Sequence, residues 1–299
     1  MGICRLLSVS GVFAVALTAL TGSTVLAQAP AAEQVTITWM RPLQKAATLL
    51  ASRYAKPITY EDPVWLWRGE ATQLGPNPNG KGALGILPRS LTVPVGLTPA
   101  ETPVLDAARL AAVVEAYHAQ NMDGPRFRVL ESKLGLHIVP TAAHNANGTL
   151  VEAGSVLDAR IRVPRASRTA SEHVAALCQA VSAAARETVE FNDQWFDEYF
   201  AANGYLLPRL RTGKERAYML FEWGADGVTA REALIDLLGG SSTTMTWTLG
   251  CLPGSQPSER FCFLSPAPLT VSVTIRGRSA LTALSHDRVA GRPIPEGAK

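Results

Sequence analysis

Read along the chain, the hydrophobic period switches between strand-like and helix-like spacing in one fixed order, and that order occurs twice. In the first half, Val35-Thr36-Ile37-Thr38-Trp39 alternates as a strand does, because successive side chains of a strand point to opposite faces. Pro42 then opens a helix whose apolar positions are Leu43, Ala46, Ala47, Leu49, Leu50 and Tyr54. Proline is tolerated there because a first-turn N–H has no helical partner to lose. Pro57-Ile58-Thr59-Tyr60 reads as a short strand, residues 75–85 as a Pro/Gly/Asn-rich loop, and residues 90–95 as another strand. Leu105, Leu110, Val113, Val114 and Tyr117 mark a second helix, and residues 126–130 and 134–139 a hairpin.

The second half repeats the order. Residues 157–163 alternate as a strand, and Thr169 or Ser171 caps a helix with Val174, Leu177, Cys178, Val181 and Ala185 on its apolar face. Residues 188–191 and 217–222 read as strands. Thr229 with Glu232 forms a capping box, in which each satisfies a free N–H of the other's residue. The helix it starts carries Ala230, Ala233, Leu234, Leu237 and Leu238 and stops at Gly239-Gly240. Residues 245–249 and 261–264 close the pattern as a hairpin. The expected class is α+β, built from two related units of order β-α-β-β-α-β-β, with helices packed on small mixed sheets. The first unit spans 33–141 and the second 155–268, with an insertion at 192–216 and a flexible polar tail at 276–299. A length of 299 residues suits two such units, since one domain takes ~100–200 residues.

The first 29 residues predict export. Arg5 is the only charge before Glu33, residues 6–20 are almost continuously apolar, and small residues follow up to Ala27 or Ala29. That is the pattern of a cleavable signal peptide; Thr18, Thr21, Gly22, Ser23 and Thr24 break the run before the ~20 apolar residues a spanning helix needs. The mature chain is expected to be periplasmic or extracellular with no transmembrane span. Of the four cysteines, Cys251 and Cys262 flank the last hairpin loop and are expected to pair in an oxidising compartment. Two free thiols or two metal ligands are the alternatives, although no second Cys/His pair lies nearby. Cys178 reads as a small buried side chain.

No catalytic or metal pattern emerges. The chain lacks Gly-x-Ser-x-Gly, Ser-x-x-Lys and His-Glu-x-x-His, and its five histidines are not spaced as metal pairs. His137, between Leu136 and Ile138, is expected to face away from both and toward solvent. The net charge of +3 is too small for a protein held mainly by nucleic-acid phosphates. The one cluster with possible ligand or partner contacts is Tyr60, Glu61, Trp65 and Trp67, where a carboxylate stands beside rings able to stack on a sugar. Against that, Asp62-Pro63 starts a turn, and two tryptophans two residues apart share one face of a strand and cover a core. A second acid/aromatic cluster, Asp193, Trp195, Phe196, Asp197, Glu198, Tyr199 and Phe200, lies in the insertion. No catalytic residue, metal ligand or cofactor is assigned.

Three phrases carry a resemblance. Pro42-Leu43, Ile58-Thr59-Tyr60-Glu61-Asp62 and the Thr229-to-Leu238 helix resemble the short secretin and TonB N-terminal domain, found ahead of outer-membrane secretion channels and signal-transducing transporters. Each half would be one copy, although Gly239-Gly240-Ser241-Ser242 replaces the usual threonine-glycine after the second helix. The resemblance implies a non-enzymatic envelope module with a protein partner, which strand addition at a short sheet edge could bind. The rival is a secreted hydrolase or carbohydrate- or peptidoglycan-binding protein using Tyr60, Glu61, Trp65 and Trp67.

Overall fold

In the computed structural model, the structure describes residues 34–65, 67–76, 82–94, 104–191, 220–241, 243–252, 261–275 and 278–283. The expected signal peptide, the 192–216 insertion with its acid/aromatic cluster, and the tail beyond 283 lie outside the described residues. The first unit contains β1 (Gln34–Trp39), α1 (Pro42–Tyr54), β2 (Ile58–Glu61), β3 (Ala71–Pro76), β4 (Gly82–Ile86), β5 (Arg89–Pro94), α2 (Ala107–Gln120), β6 (Arg126–Glu131) and β7 (Leu136–His144). After β8 (Leu150–Glu152) come β9 (Arg160–Arg168), α3 (Ala170–Ala185), β10 (Thr188–Phe191), β11 (Phe221–Thr229), α4 (Ala230–Gly239), β12 (Met245–Leu252) and β13 (Phe261–Pro268). A last hairpin joins β14 (Thr270–Ile275) to β15 (Arg278–Ala283).

Local chemistry sets the helix ends. Thr169 with Glu172 and Thr229 with Glu232 both make complete capping boxes, and the Asp106 side chain accepts from the Arg109 N–H at the start of α2. α1 begins at Pro42 and ends at Ala55, which takes the left-handed conformation.

Apart from the β3–β4 hairpin of the first unit, strand pairing repeats as well as strand order. In the first unit β1 pairs antiparallel with β5, β2 parallel with β7, and β7 antiparallel with β6. In the second, β9 pairs antiparallel with β11, β10 parallel with β13, and β13 antiparallel with β12. Each unit thus holds two helices between a two-stranded sheet and a three-stranded one. Leu43, Leu50, Leu110 and Val114 of the first pair meet Leu91 and Val93 on one side and Ile58, Leu136 and Ile138 on the other. Val174, Leu177, Leu234 and Leu238 of the second pair meet Ile161 and Val163, then Trp247, Leu249, Cys262 and Leu264. Burial of each such side chain contributes roughly 1.5–3 kcal/mol.

The two three-stranded sheets are joined. β12 pairs parallel with β2, Thr248 opposite Tyr60 and Leu249 opposite Glu61, giving the strand order β10-β13-β12-β2-β7-β6 in a seven-stranded sheet. β8 is its seventh strand; it borders β7 on the side away from β6, since Ala142 pairs with Arg126 and also with Glu152. Alternation fixes the faces. Tyr60 belongs to the first unit's core while Glu61, its neighbour, lies opposite Leu249 of the second unit's core. The helices of the two units therefore cover opposite faces of one sheet.

That arrangement corrects the expectation for His137. It does face away from Leu136 and Ile138, but the other face there is covered by the second unit, so His137 is only 1% exposed. Its ring stacks on Trp247 at 5.0 Å, and its nitrogens meet the hydroxyls of Thr59 (2.8 Å) and Ser132 (2.6 Å). Three further readings change. Residues 75–85 are not wholly loop, because β3 and β4 pair there as a hairpin. The stretch expected as tail includes β15, held by its backbone ladder to β14. The strand expected at 217–222 is observed from Phe221 onward and runs to the cap of α4.

Burial, and to a lesser extent Arg231, pushes the His137 imidazole down to about 4. A group depressed in the folded state contributes stability above its unfolded value, ~6.5, that is lost as pH falls toward 4. Wild type is expected to lose up to about 3 kcal/mol more than His137→Asn between pH 7 and pH 4. Urea titrations of both proteins across that range measure the difference.

Candidate partner-binding edge

The sequence-selected cluster falls on the seam between the units. Tyr60 and Glu61 end β2, and the chain then turns through Asp62-Pro63 under α4. Glu61 is fully buried, and both of its oxygens accept from Arg231, the second residue of α4: Nε to Oε1 at 2.8 Å and Nη2 to Oε2 at 2.7 Å. Arg231 also donates through Nη1 to Asp158. Burial alone would lower the Arg231 guanidinium, but Glu61 and Asp158 outweigh it and hold the group above its usual value. Asp62 is equally engaged. It accepts from Arg41 Nε, from the Tyr60 hydroxyl at 2.7 Å and from the Cys251 N–H at 2.9 Å. Its own N–H donates to the Leu249 carbonyl. Arg41 Nη2 reaches the Cys251 carbonyl at 2.6 Å. Burial first, and Asp62 second, push the Tyr60 phenol well up.

The four selected residues are not brought together around a ligand. Tyr60 packs into the first core against Phe127, and Trp65 into the second core. Trp67 is half-buried elsewhere, its ring 4.9 Å from His144. Gly148 (φ +78°) closes over that ring, and any Cβ there would stand 2.8 Å from the indole. Neither tryptophan lies in a strand. His144 Nδ1 in turn stands 3.3 Å from Glu70, which also holds Arg89 at 3.1 Å. Burial raises the Glu70 carboxyl, although His144 and Arg89 pull the other way. No group of side chains among the described residues is arranged to hold a metal ion.

Cys251 and Cys262 form the expected disulfide between directly opposed positions of β12 and β13. Cys178 is a buried free thiol that burial pushes up to about 12, so it carries no thiolate at neutral pH.

A candidate surface for another molecule is the outer side of β1. Among the described residues β1 pairs only with β5, and no described strand lies along its other edge. A groove runs along that edge, lined by Thr36, Ile37, Thr38 and Trp39 of β1 and by Lys45 and Leu49 of α1. Trp39 is 43% exposed, with the Lys45 ammonium 5.1 Å above its ring. Thr36 bonds Thr92 and Thr38 bonds Ser90 through their hydroxyls, tying β1 to β5 and holding its edge in an extended line. Sequence reasoning missed this pair. The available signal was a tryptophan on the last residue of an alternating strand, just ahead of a lysine in the next helix's first turns.

Compared with known proteins, the chain matches no family model, no curated protein and no solved structure. Among the described residues, no helix is long and apolar enough to cross a membrane.

Removing one member of the buried pair should be far worse than removing both. Arg231→Ala leaves Glu61 uncompensated and should cost about 3–5 kcal/mol, whereas Arg231→Met with Glu61→Leu should recover most of the loss. Equilibrium denaturation of the three proteins checks the order.

Proposed function

We propose that this chain is an exported, non-enzymatic interaction module of the cell envelope, resembling tandem short secretin and TonB N-terminal domains, that binds an extended segment of a protein partner along β1. The observation that carries the reading is the open β1 edge beside the Trp39–Lys45 groove. A strand laid there would complete the backbone hydrogen bonds of β1 while its alternate side chains rested on Leu49 and Trp39. The repeated β-α-β-β-α-β-β order supports the family resemblance. The Cys251–Cys262 bridge supports an oxidising compartment, periplasmic or extracellular.

The rival reading as a hydrolase or glycan binder draws less support. Glu61 has both oxygens committed to Arg231, and the Tyr60 phenol is held in its neutral form inside a core. Neither is placed to move a proton on a substrate.

The test is capture of envelope components by the mature protein, with wild type beside Trp39→Ala/Lys45→Glu. Wild type should retain a protein, and amide exchange should slow along residues 34–39 when it is bound. The double variant should bind at least about thirtyfold more weakly, the scale of losing ~2 kcal/mol at an aromatic anchor. Retention of a muropeptide or glycan with no protein would overturn the reading.

A further inference from the structure

The seam joins unlike edges of like units. It pairs the outer strand β12 of the second unit with β2 of the first, and β2 is the counterpart of β10. The two ends of the long sheet are then β6, the counterpart of β12, and β10 itself. Such a joint is head-to-tail, so its repetition at the two ends of the long sheet would grow without closing. Among the described residues, no strand pairs with the outer side of either.

Register aligns the counterparts. Tyr60 lies opposite Ile138 as Phe191 lies opposite Leu264, and Val129 opposite Ile138 as Leu249 opposite Leu264. Glu190 therefore stands where the seam has Thr59, and Arg128 where it has Thr248. Each substitution removes something the seam needs. Thr59 is buried there and bonds His137; Glu190 would enter the same place opposite Phe127, with Phe263 instead of His137 as its neighbour. Where α4 carries Arg231, α2 has Ala108. Arg128 would be set opposite Phe191. An unpaired charge closed off from water is costly, and charged side chains on edge strands are a known defence against edge-to-edge growth.

We propose that the seam is a joint made once per molecule: Glu190 on β10 and Arg128 on β6 prevent a second copy of this chain from adding to the ends of the long sheet. Both side chains are exposed in the chain as it stands, so the proposal is independent of what β1 binds.

Sedimentation equilibrium of the full mature chain tests it. Wild type should show the mass of one chain at every concentration. Glu190→Thr with Arg128→Thr, which installs the seam's own residues at both ends, should show a weight-average mass that passes two chains and keeps rising with concentration. Glu190→Gln with Arg128→Gln, a pair that only removes charge, should move in the same direction by a smaller amount. Far-UV circular dichroism verifies that each variant is folded. Folded variants that sediment like wild type at every concentration would overturn the proposal.

Discussion

The pairing of β2 with β12 is the constraint from which the rest of the structure follows. It involves few residues, yet its register decides which side chains of β2 face which core. With Thr248 opposite Tyr60, the period-two alternation sends Ile58 and Tyr60 into the first unit and Thr59 and Glu61 toward the second. A slip of one residue would drive Glu61 into the aliphatic core and Tyr60 against Arg231. Glu61–Arg231–Asp158 and Tyr60–Asp62–Arg41 are best understood in those terms. Desolvating such ions offsets much of their mutual attraction, so their clearest contribution is to make the wrong register expensive.

The sheet edges then divide into two kinds. Where the long sheet ends, at β6 and β10, charged residues occupy the places that are uncharged at the seam. Along β1 the side chains are instead threonines, an isoleucine and a tryptophan, with a single lysine from α1. A duplicated fold multiplies unpaired edges, and each is an aggregation hazard unless blocked or used. Here the ends of the long sheet carry charged residues, while the β1 edge beside a groove carries none.

Much was legible from the sequence because it depends on neighbours along the chain. The capping boxes at Thr169 and Thr229, the proline start of α1, the β6–β7 hairpin and the cysteine hairpin all arise from residues within a few positions of one another. The β3–β4 hairpin was less legible because its ladder includes Gly82, Gly85 and Pro76, residues that read as loop. β15 was hidden by the arginines and glycines around it.

The sequence by itself determined the class of the fold, its duplication and its cross-link, since periodicity, caps and cysteine spacing are properties of short segments. Only the tertiary structure decided the meaning of the polar residues. His137 and Glu61 look exposed when each sheet is imagined with one covered face; they are buried because the second unit covers the other. Trp39 alternates in step with Val35 and Ile37 and is half open, because a strand's last residue can extend past the helices that cover the rest. These outcomes depend on contacts between residues far apart in the chain, such as Glu61 with Arg231, and no local pattern encodes a partner at that distance.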